Sequence, residues 1–179
     1  MVTIRIWDLP TRLFHWLLVT SFIMAWLSQG DDRYLVIHVF AGYLFLGLLI
    51  FRLIWGFIGS DYARFRSFCF GYTAVWDYLK HLGHSPTFLG HNPAGSWAIF
   101  ALLTLGLIVS ATGLLTLGGE ERHGPLAGML SFAWGERYHA VHELTAWLML
   151  ALVGIHIIGV GVASRLHQQA LVKAMITGF

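Results

Sequence analysis

Four histidines lie within strongly apolar segments of helical length, and their spacing could hold a metal-containing cofactor: His15, His38, His142 and His156. An ionisable side chain is costly inside a membrane, so its presence there indicates a function. His142 and His156 are fourteen residues apart, which returns them to nearly the same face of an α-helix, about 21 Å apart along its axis. A single helix could therefore present one imidazole near each side of a bilayer.

The composition predicts an integral membrane protein. Of the 179 residues, 57% are hydrophobic and 11% are charged, whereas soluble domains carry about 25% charged residues. Four apolar segments come close to or exceed the roughly 20 residues that cross a bilayer as a helix. They are residues 9–27, 34–58, 93–117 and 138–164. We expect a single all-α domain, 1–179, in the form of a four-helix membrane bundle.

The distribution of charge predicts the topology. Placing the termini and residues 60–92 on one side gives that side most of the basic residues: Arg5, Arg12, Arg52, Arg64, Arg66, Lys80, Arg165 and Lys173. The other side receives only Arg33, Arg122 and Arg137, together with five carboxylates. By the positive-inside rule, both termini are cytoplasmic in a bacterial inner membrane. The net charge of +2 is thus a topology signal and gives no case for nucleic-acid binding.

This topology places the histidines in two pairs, each at one depth in the membrane. His38 and His142 are near the periplasm, and His15 and His156 are near the cytoplasm. Two neutral imidazoles fill both axial positions of a haem iron, which leaves no open site for oxygen and favours electron transfer. Cys69 is the only cysteine, which excludes the C-x-x-C-H attachment of c-type haem. The sequence therefore predicts two non-covalent, bis-histidine haem b groups.

Two further residues are candidates for cofactor binding. Arg52 follows His38 by the same fourteen residues, so it should reach the level of the cytoplasmic haem and pair with a propionate. Snorkelling of Arg52 to the interface is the alternative. Gly42, one turn after His38, leaves room for a flat macrocycle, although close packing of helices also explains a glycine there.

Other interpretations of the histidines stay open. Each one alone could be a structural residue that hydrogen-bonds a neighbouring helix. A metal-ion transporter is a rival from a different class, but Glu143 is the only acidic residue well inside a predicted span. Ligands at two depths also fit a tight zinc site poorly.

The remaining histidines give weaker signals. His139 is shallower than His142 and is expected at a wet interface, while the others lie in loops or the tail and are expected to be mostly solvated: His81, His84, His91, His123 and His167. The third apolar segment has no ionisable residue from Ala94 to Leu117, so it can shield a cofactor but cannot ligate iron. Apolar residues between Tyr72 and Leu82 recur at helical spacing and predict a short helix, which either lies in the membrane interface or only packs on the bundle.

Several motifs together resemble the bacterial cytochrome b561 family, which includes the b-type cytochrome subunits of nickel–iron hydrogenases. They are Phe14-His15-Trp16, Ile37-His38-Val39 with Gly42 and Arg52, and His142-Glu143 followed by His156. The resemblance implies a four-helix bundle with two b haems and axial ligands on the first, second and fourth helices.

Three shorter stretches resemble the compact, hydrogenase-like branch of that family: Ile6-Trp7-Asp8-Leu9-Pro10-Thr11-Arg12, Gly90-His91-Asn92-Pro93 and Ala174-Met175-Ile176-Thr177-Gly178. That branch implies electron transfer between the membrane quinone pool and a redox partner, either a hydrogenase-like enzyme or a periplasmic c-type cytochrome. The expected partners are therefore membrane lipid, a quinone and that redox subunit. A stand-alone superoxide:quinone oxidoreductase is the alternative that small relatives allow.

Overall fold

The computed structural model describes residues 5–82, 88 and 90–179, and this part of the chain is helical and contains no strand. His84 lies outside the described residues. The helices, in chain order, are α1 (Leu9–Leu27), α2 (Leu35–Ile58), α3 (Tyr72–Lys80), α4 (Pro93–Gly119), α5 (Phe132–Leu166) and α6 (Leu171–Thr177). Two short 3₁₀ turns, Asp32–Tyr34 and Phe65–Ser67, precede α2 and α3.

Local sequence signals account for the starts of α1 and α4. The Asp8 carboxylate accepts a hydrogen bond from the Thr11 amide at 2.7 Å, and the Asn92 side chain accepts one from the Gly95 amide at 2.7 Å. Each of these caps stands directly before a first turn that contains proline. Both helices therefore begin with a side-chain cap and a residue whose backbone angle suits the first turn.

Three helices of the described residues are long and apolar enough to cross a membrane. They are α2 with its preceding turn (Asp32–Ile58), α4 and α5. α1 is 19 residues long and carries Arg12 and His15, and its role as a further span stays a prediction. α5 begins at Phe132, six residues before the predicted start at Tyr138, because its polar first turns continue the helix beyond the apolar segment.

The most extensive helix contacts join α4 to α5 and α1 to α2, and α2 also packs on α4. Phe45 and Leu49 of α2, Leu103 of α4 and Met149 of α5 form the buried centre. Met149 is seven residues from both His142 and His156, so this apolar centre lies between the two levels of histidines. Gly106 lets α2 approach α4, since a Cβ there would lie 3.1 Å from Leu49 Cδ1.

The first and the last described residues of the chain meet at one end of the bundle, which we call the terminal end; the opposite end is the distal end. The amides of Ile6 and Trp7 both donate to the carbonyl of Gly178, at 2.9 and 3.2 Å. Gly178 has φ +95°, and a Cβ there would lie 2.9 Å from the Trp7 carbonyl oxygen. Glycine is therefore required where the C-terminal segment crosses the N-terminal one.

α3 lies beside α4 and buries one side of its surface, and its position in a membrane interface stays a prediction. Val75 and Tyr78 are buried, whereas Tyr72, Trp76 and Leu79 are exposed. The Lys80 ammonium lies 5.3 Å from the centre of the Trp76 ring. The helix thus combines a packed side with an exposed aromatic side next to a cation, a pattern typical of a membrane surface.

Candidate cofactor site

His38 of α2 and His142 of α5 face each other near the distal end, and we call them the distal pair. Their ring centres are 6.1 Å apart and their planes are nearly perpendicular, at 88°. A metal held between two imidazole nitrogens at about 2 Å each would place the ring centres about 6.3 Å apart. The observed separation therefore fits two axial ligands on one metal ion.

Backbone carbonyls orient both imidazoles of the distal pair. His38 Nδ1 donates to the Ala25 carbonyl at 2.8 Å, and His142 Nδ1 donates to the Val109 carbonyl at 2.9 Å. A carbonyl can only accept, so the proton is on Nδ1 and the lone pair is on Nε2 in each ring. Such an outer hydrogen bond sets the tautomer and raises the basicity of a ligating histidine.

α4 has no ligand of its own but shapes the surroundings of His142. Thr112 Oγ1 lies 3.3 Å from His142 Nδ1, and a Cβ at Gly113 would lie 3.0 Å from His142 Cε1. Sequence reasoning predicted α4 as a shield and missed Val109 and Gly113. The only sequence signal is the run of small residues Ser110-Ala111-Thr112-Gly113, which permits close approach of another helix.

His15 of α1 and His156 of α5 form the second pair, the terminal pair, near the terminal end. Both side chains are half-buried and electrostatically close to each other. The His15 ring contacts Trp16 at 5.1 Å between ring centres. Among the described residues, its buried Nδ1 has no hydrogen-bond partner, so the protein orients His15 less firmly than either ring of the distal pair.

Arg52 is buried near the terminal pair, with only 4% of its surface exposed. Its guanidinium carbon lies 4.8 Å from the Phe65 ring centre and 5.8 Å from that of Phe68. Among the described residues, no side chain forms an ion pair with it, and its Nη1 has no hydrogen-bond partner. A buried, unpaired guanidinium is costly, so this position fits an anion supplied by a cofactor better than snorkelling to the interface.

Asp8 interacts electrostatically with Arg52, but other donors occupy its carboxylate. It accepts hydrogen bonds from Ser60 Oγ at 2.5 Å, Trp55 Nε1 at 3.0 Å and the Thr11 amide at 2.7 Å. Burial alone would raise the pKa of Asp8, yet these hydrogen bonds outweigh it and hold the pKa below its ordinary value. Asp8 is therefore a charged cap of α1 that influences Arg52 without binding it.

Gly42 is partly exposed and faces open space. A Cβ at this position would meet no heavy atom within 4 Å. Close packing against a neighbouring helix therefore does not explain the glycine, and the space beside it is available to a flat group.

Two of the remaining histidines differ in their environments. His139 is exposed, as predicted, and its Nδ1 lies 2.8 Å from Glu120 Oε2. His91 is partly exposed and packs on Trp7 and Phe68, at 4.6 and 4.3 Å between ring centres. Among the described residues, no three His, Cys, Asp or Glu side chains are close enough to hold one metal ion together.

Comparison with known proteins gives matches over nearly the whole chain. The family model described as prokaryotic cytochrome b561 matches residues 6–178. Similar curated proteins are named probable Ni/Fe-hydrogenase B-type cytochrome subunits. The one from Azotobacter chroococcum mcd 1 is 24% identical over 98% of this chain and 88% of its own. The Escherichia coli (strain K12) hydrogenase 1 subunit is 22% identical over 100% and 91%. No solved structure matches the chain significantly.

Proposed function

The chain belongs to the prokaryotic cytochrome b561 family, and on that premise we propose that it carries two haem b groups, one on each histidine pair, in a membrane bundle of four spans. A b haem with two imidazole ligands takes up and releases one electron without binding oxygen. The proposed role is transfer of electrons between the membrane quinone pool and a redox partner.

One observation carries the proposal, the geometry of the distal pair. The two rings are separated by the distance that a shared metal ion requires, and each turns a free Nε2 away from a backbone carbonyl that binds its Nδ1. The Nδ1 bonds alone would also suit histidines that only link helices, but among the described residues no hydrogen bond uses either Nε2, and the two rings face each other. These features together support the distal pair as a ligand set.

The terminal pair is assigned to the second haem on different grounds. It lies on α5 fourteen residues from the distal ligand, which separates the two levels by about 21 Å. The unpaired Arg52 guanidinium nearby supplies a positive charge that matches a haem propionate. Gly42, on the same helix as His38, leaves space for the edge of the distal macrocycle.

The redox partner follows from the relatives and from the charge of the distal end. The similar curated proteins are named as hydrogenase subunits, so a Ni/Fe hydrogenase or a periplasmic c-type cytochrome is the proposed partner. Asp31, Asp32, Glu120 and Glu121 make the distal end acidic, which would orient a basic protein surface. The terminal end, with most of the basic residues, is assigned to the cytoplasm.

The stoichiometry of haem tests the proposal. The protein is purified in mild detergent with its native partners, and the pyridine haemochrome assay is normalised to the amount of this chain. We expect close to two b haems and no c-type signal from the chain itself, with reduction by a quinol or by the co-purified partner. One haem per chain would refute the assignment of the terminal pair. Oxidation of superoxide by the isolated chain, with no partner required, would identify the stand-alone enzyme instead.

A further inference from the structure

His91 precedes α4 and packs against the bundle within electrostatic reach of His156. It directly precedes the Asn92 cap of α4. The Trp7 ring meets it edge-on at 66°, and the Phe68 ring lies against it at 45°. These contacts come from segments far apart in the chain, so the position of the ring is set by tertiary structure.

His91 and Arg52 share one aromatic platform. The Phe68 ring, which is 2% exposed, carries the Arg52 guanidinium at 5.8 Å and the His91 imidazole at 4.3 Å. Arg52 Nη1 is buried without a partner among the described residues. Two groups with nitrogen donors therefore contact the same phenylalanine, and His91 is within electrostatic reach of His156 of the terminal pair.

The electrostatic environment keeps His91 neutral. Burial, with smaller contributions from the charges of Arg52 and His156, lowers the pKa of His91 to about 3. A neutral imidazole offers one N–H donor and one acceptor. His91 can therefore give a directed hydrogen bond beside Arg52 without adding a second positive charge.

We propose that His91 donates a hydrogen bond to a carboxylate of the haem held by the terminal pair, alongside the charge supplied by Arg52. The assignment rests on the proposed function, because it requires a haem at that level. In this arrangement the guanidinium supplies most of the charge that neutralises the carboxylate, while the imidazole N–H orients the carboxylate and withdraws part of its negative charge. A hydrogen bond to an ionised group is stronger than one between neutral groups, so its loss should be measurable.

Paired variants test the role of His91. His91→Gln keeps an N–H donor, whereas His91→Met has a similar length and shape without one, and His91→Phe retains a ring between Trp7 and Phe68. His123→Phe is the control, because His123 is exposed in the loop after α4. Each variant is titrated spectroscopically, with the terminal component identified by its loss in His156→Ala.

We expect His91→Met and His91→Phe to lower the midpoint potential of the terminal component, because a less neutralised carboxylate disfavours the more negative, reduced haem. His91→Gln should restore most of that potential, and the distal component and the His123→Phe control should not move. Resonance Raman should show a shifted propionate-bending band in the same two variants. If the Phe variant fails to assemble, the Gln and Met pair decides.

The outcomes separate this inference from the function on which it rests. A wild-type protein with a single haem component overturns the proposed function itself. Two components in the wild type, with a terminal potential that is unchanged in His91→Met or shifted equally in His91→Met and His91→Gln, overturn only the role of His91.

Discussion

Gly113 is the residue through which α4 controls the distal site, and its substitution gives a graded test. An added Cβ would lie 3.0 Å from His142 Cε1 and 3.3 Å from Nδ1, whereas carbon atoms in ordinary contact are about 3.5–4.0 Å apart. The His142 ring must therefore move by about 0.5 Å or more, while its 2.9 Å hydrogen bond to the Val109 carbonyl opposes the movement. Gly113→Ala should tilt the ring, and Gly113→Val should displace it.

The expected size of the effect follows from the rotation of the side chain. Turning a side chain about 30° from its rotamer costs about 0.5–1.5 kcal/mol, which weakens binding at the distal iron by about 2- to 12-fold. Gly113→Val, with two further methyl groups, should exceed this range and remove the distal haem. Alanine also favours the helix over glycine by about 1 kcal/mol, so a loss of haem in Gly113→Ala cannot be ascribed to a weaker helix.

The assay is the rate of haem transfer to an excess of apomyoglobin, followed separately for the two haems by their redox components. Gly161→Ala is the matched control on α5, since Gly161 is exposed, lies about 140° around the helix from His156, and a Cβ there would meet no atom within 4 Å. Only the distal haem should dissociate faster, in the order wild type, Gly113→Ala, Gly113→Val. Equal rates in all four proteins would show that α4 does not position His142.

Three further predictions concern the two sites. His142→Ala should remove the distal redox component and His156→Ala the terminal one, and loss of the same component from both variants in a potentiometric titration would refute the pairing. Arg52→Leu should lower the midpoint potential of the terminal haem, because it removes a nearby positive charge. Arg52→Lys should lower that potential less, because lysine keeps the charge but loses the bidentate geometry. Unchanged potentials in Arg52→Leu would favour snorkelling of Arg52 to the interface. In proteoliposomes of one orientation, a membrane-impermeant reductant outside should reduce the facing haem first and then the other haem. Reduction of the facing haem alone, despite favourable potentials, would show that electrons do not pass between the two haems.

Much of the helical framework could be predicted from the sequence because the signals are local. The Asn92-Pro93 start of α4 is a cap and a proline in adjacent positions, and the fourteen-residue spacing on α5 depends only on helix geometry. The start of α5 was predicted six residues late. Hydropathy marks the apolar part of a helix, whereas α5 extends through the polar residues around Glu136.

The orientation of the ligands could not be predicted from the sequence in the same way. The groups that bind His38 and His142 are backbone carbonyls of Ala25 and Val109, and any residue type carries a carbonyl. Gly113 has a role only because α5 brings His142 against it. The packing of His91 could not be predicted, because the two residues that contact it, Trp7 and Phe68, are 84 and 23 residues away in the sequence.

The two sites are built differently, and this difference predicts the order of their potentials. The distal ligands each donate from Nδ1 to a carbonyl, which makes the imidazoles more basic and stabilises the oxidised iron. The terminal site has a buried His15 Nδ1 without a partner among the described residues and a nearby unpaired guanidinium, and a positive charge stabilises the reduced haem. We therefore expect the terminal haem to have the higher potential. In a redox titration, His142→Ala should retain the component of higher potential and His156→Ala the component of lower potential. Electrons that enter at the distal end would then pass downhill to the terminal end. The reverse assignment of the two components would refute this account.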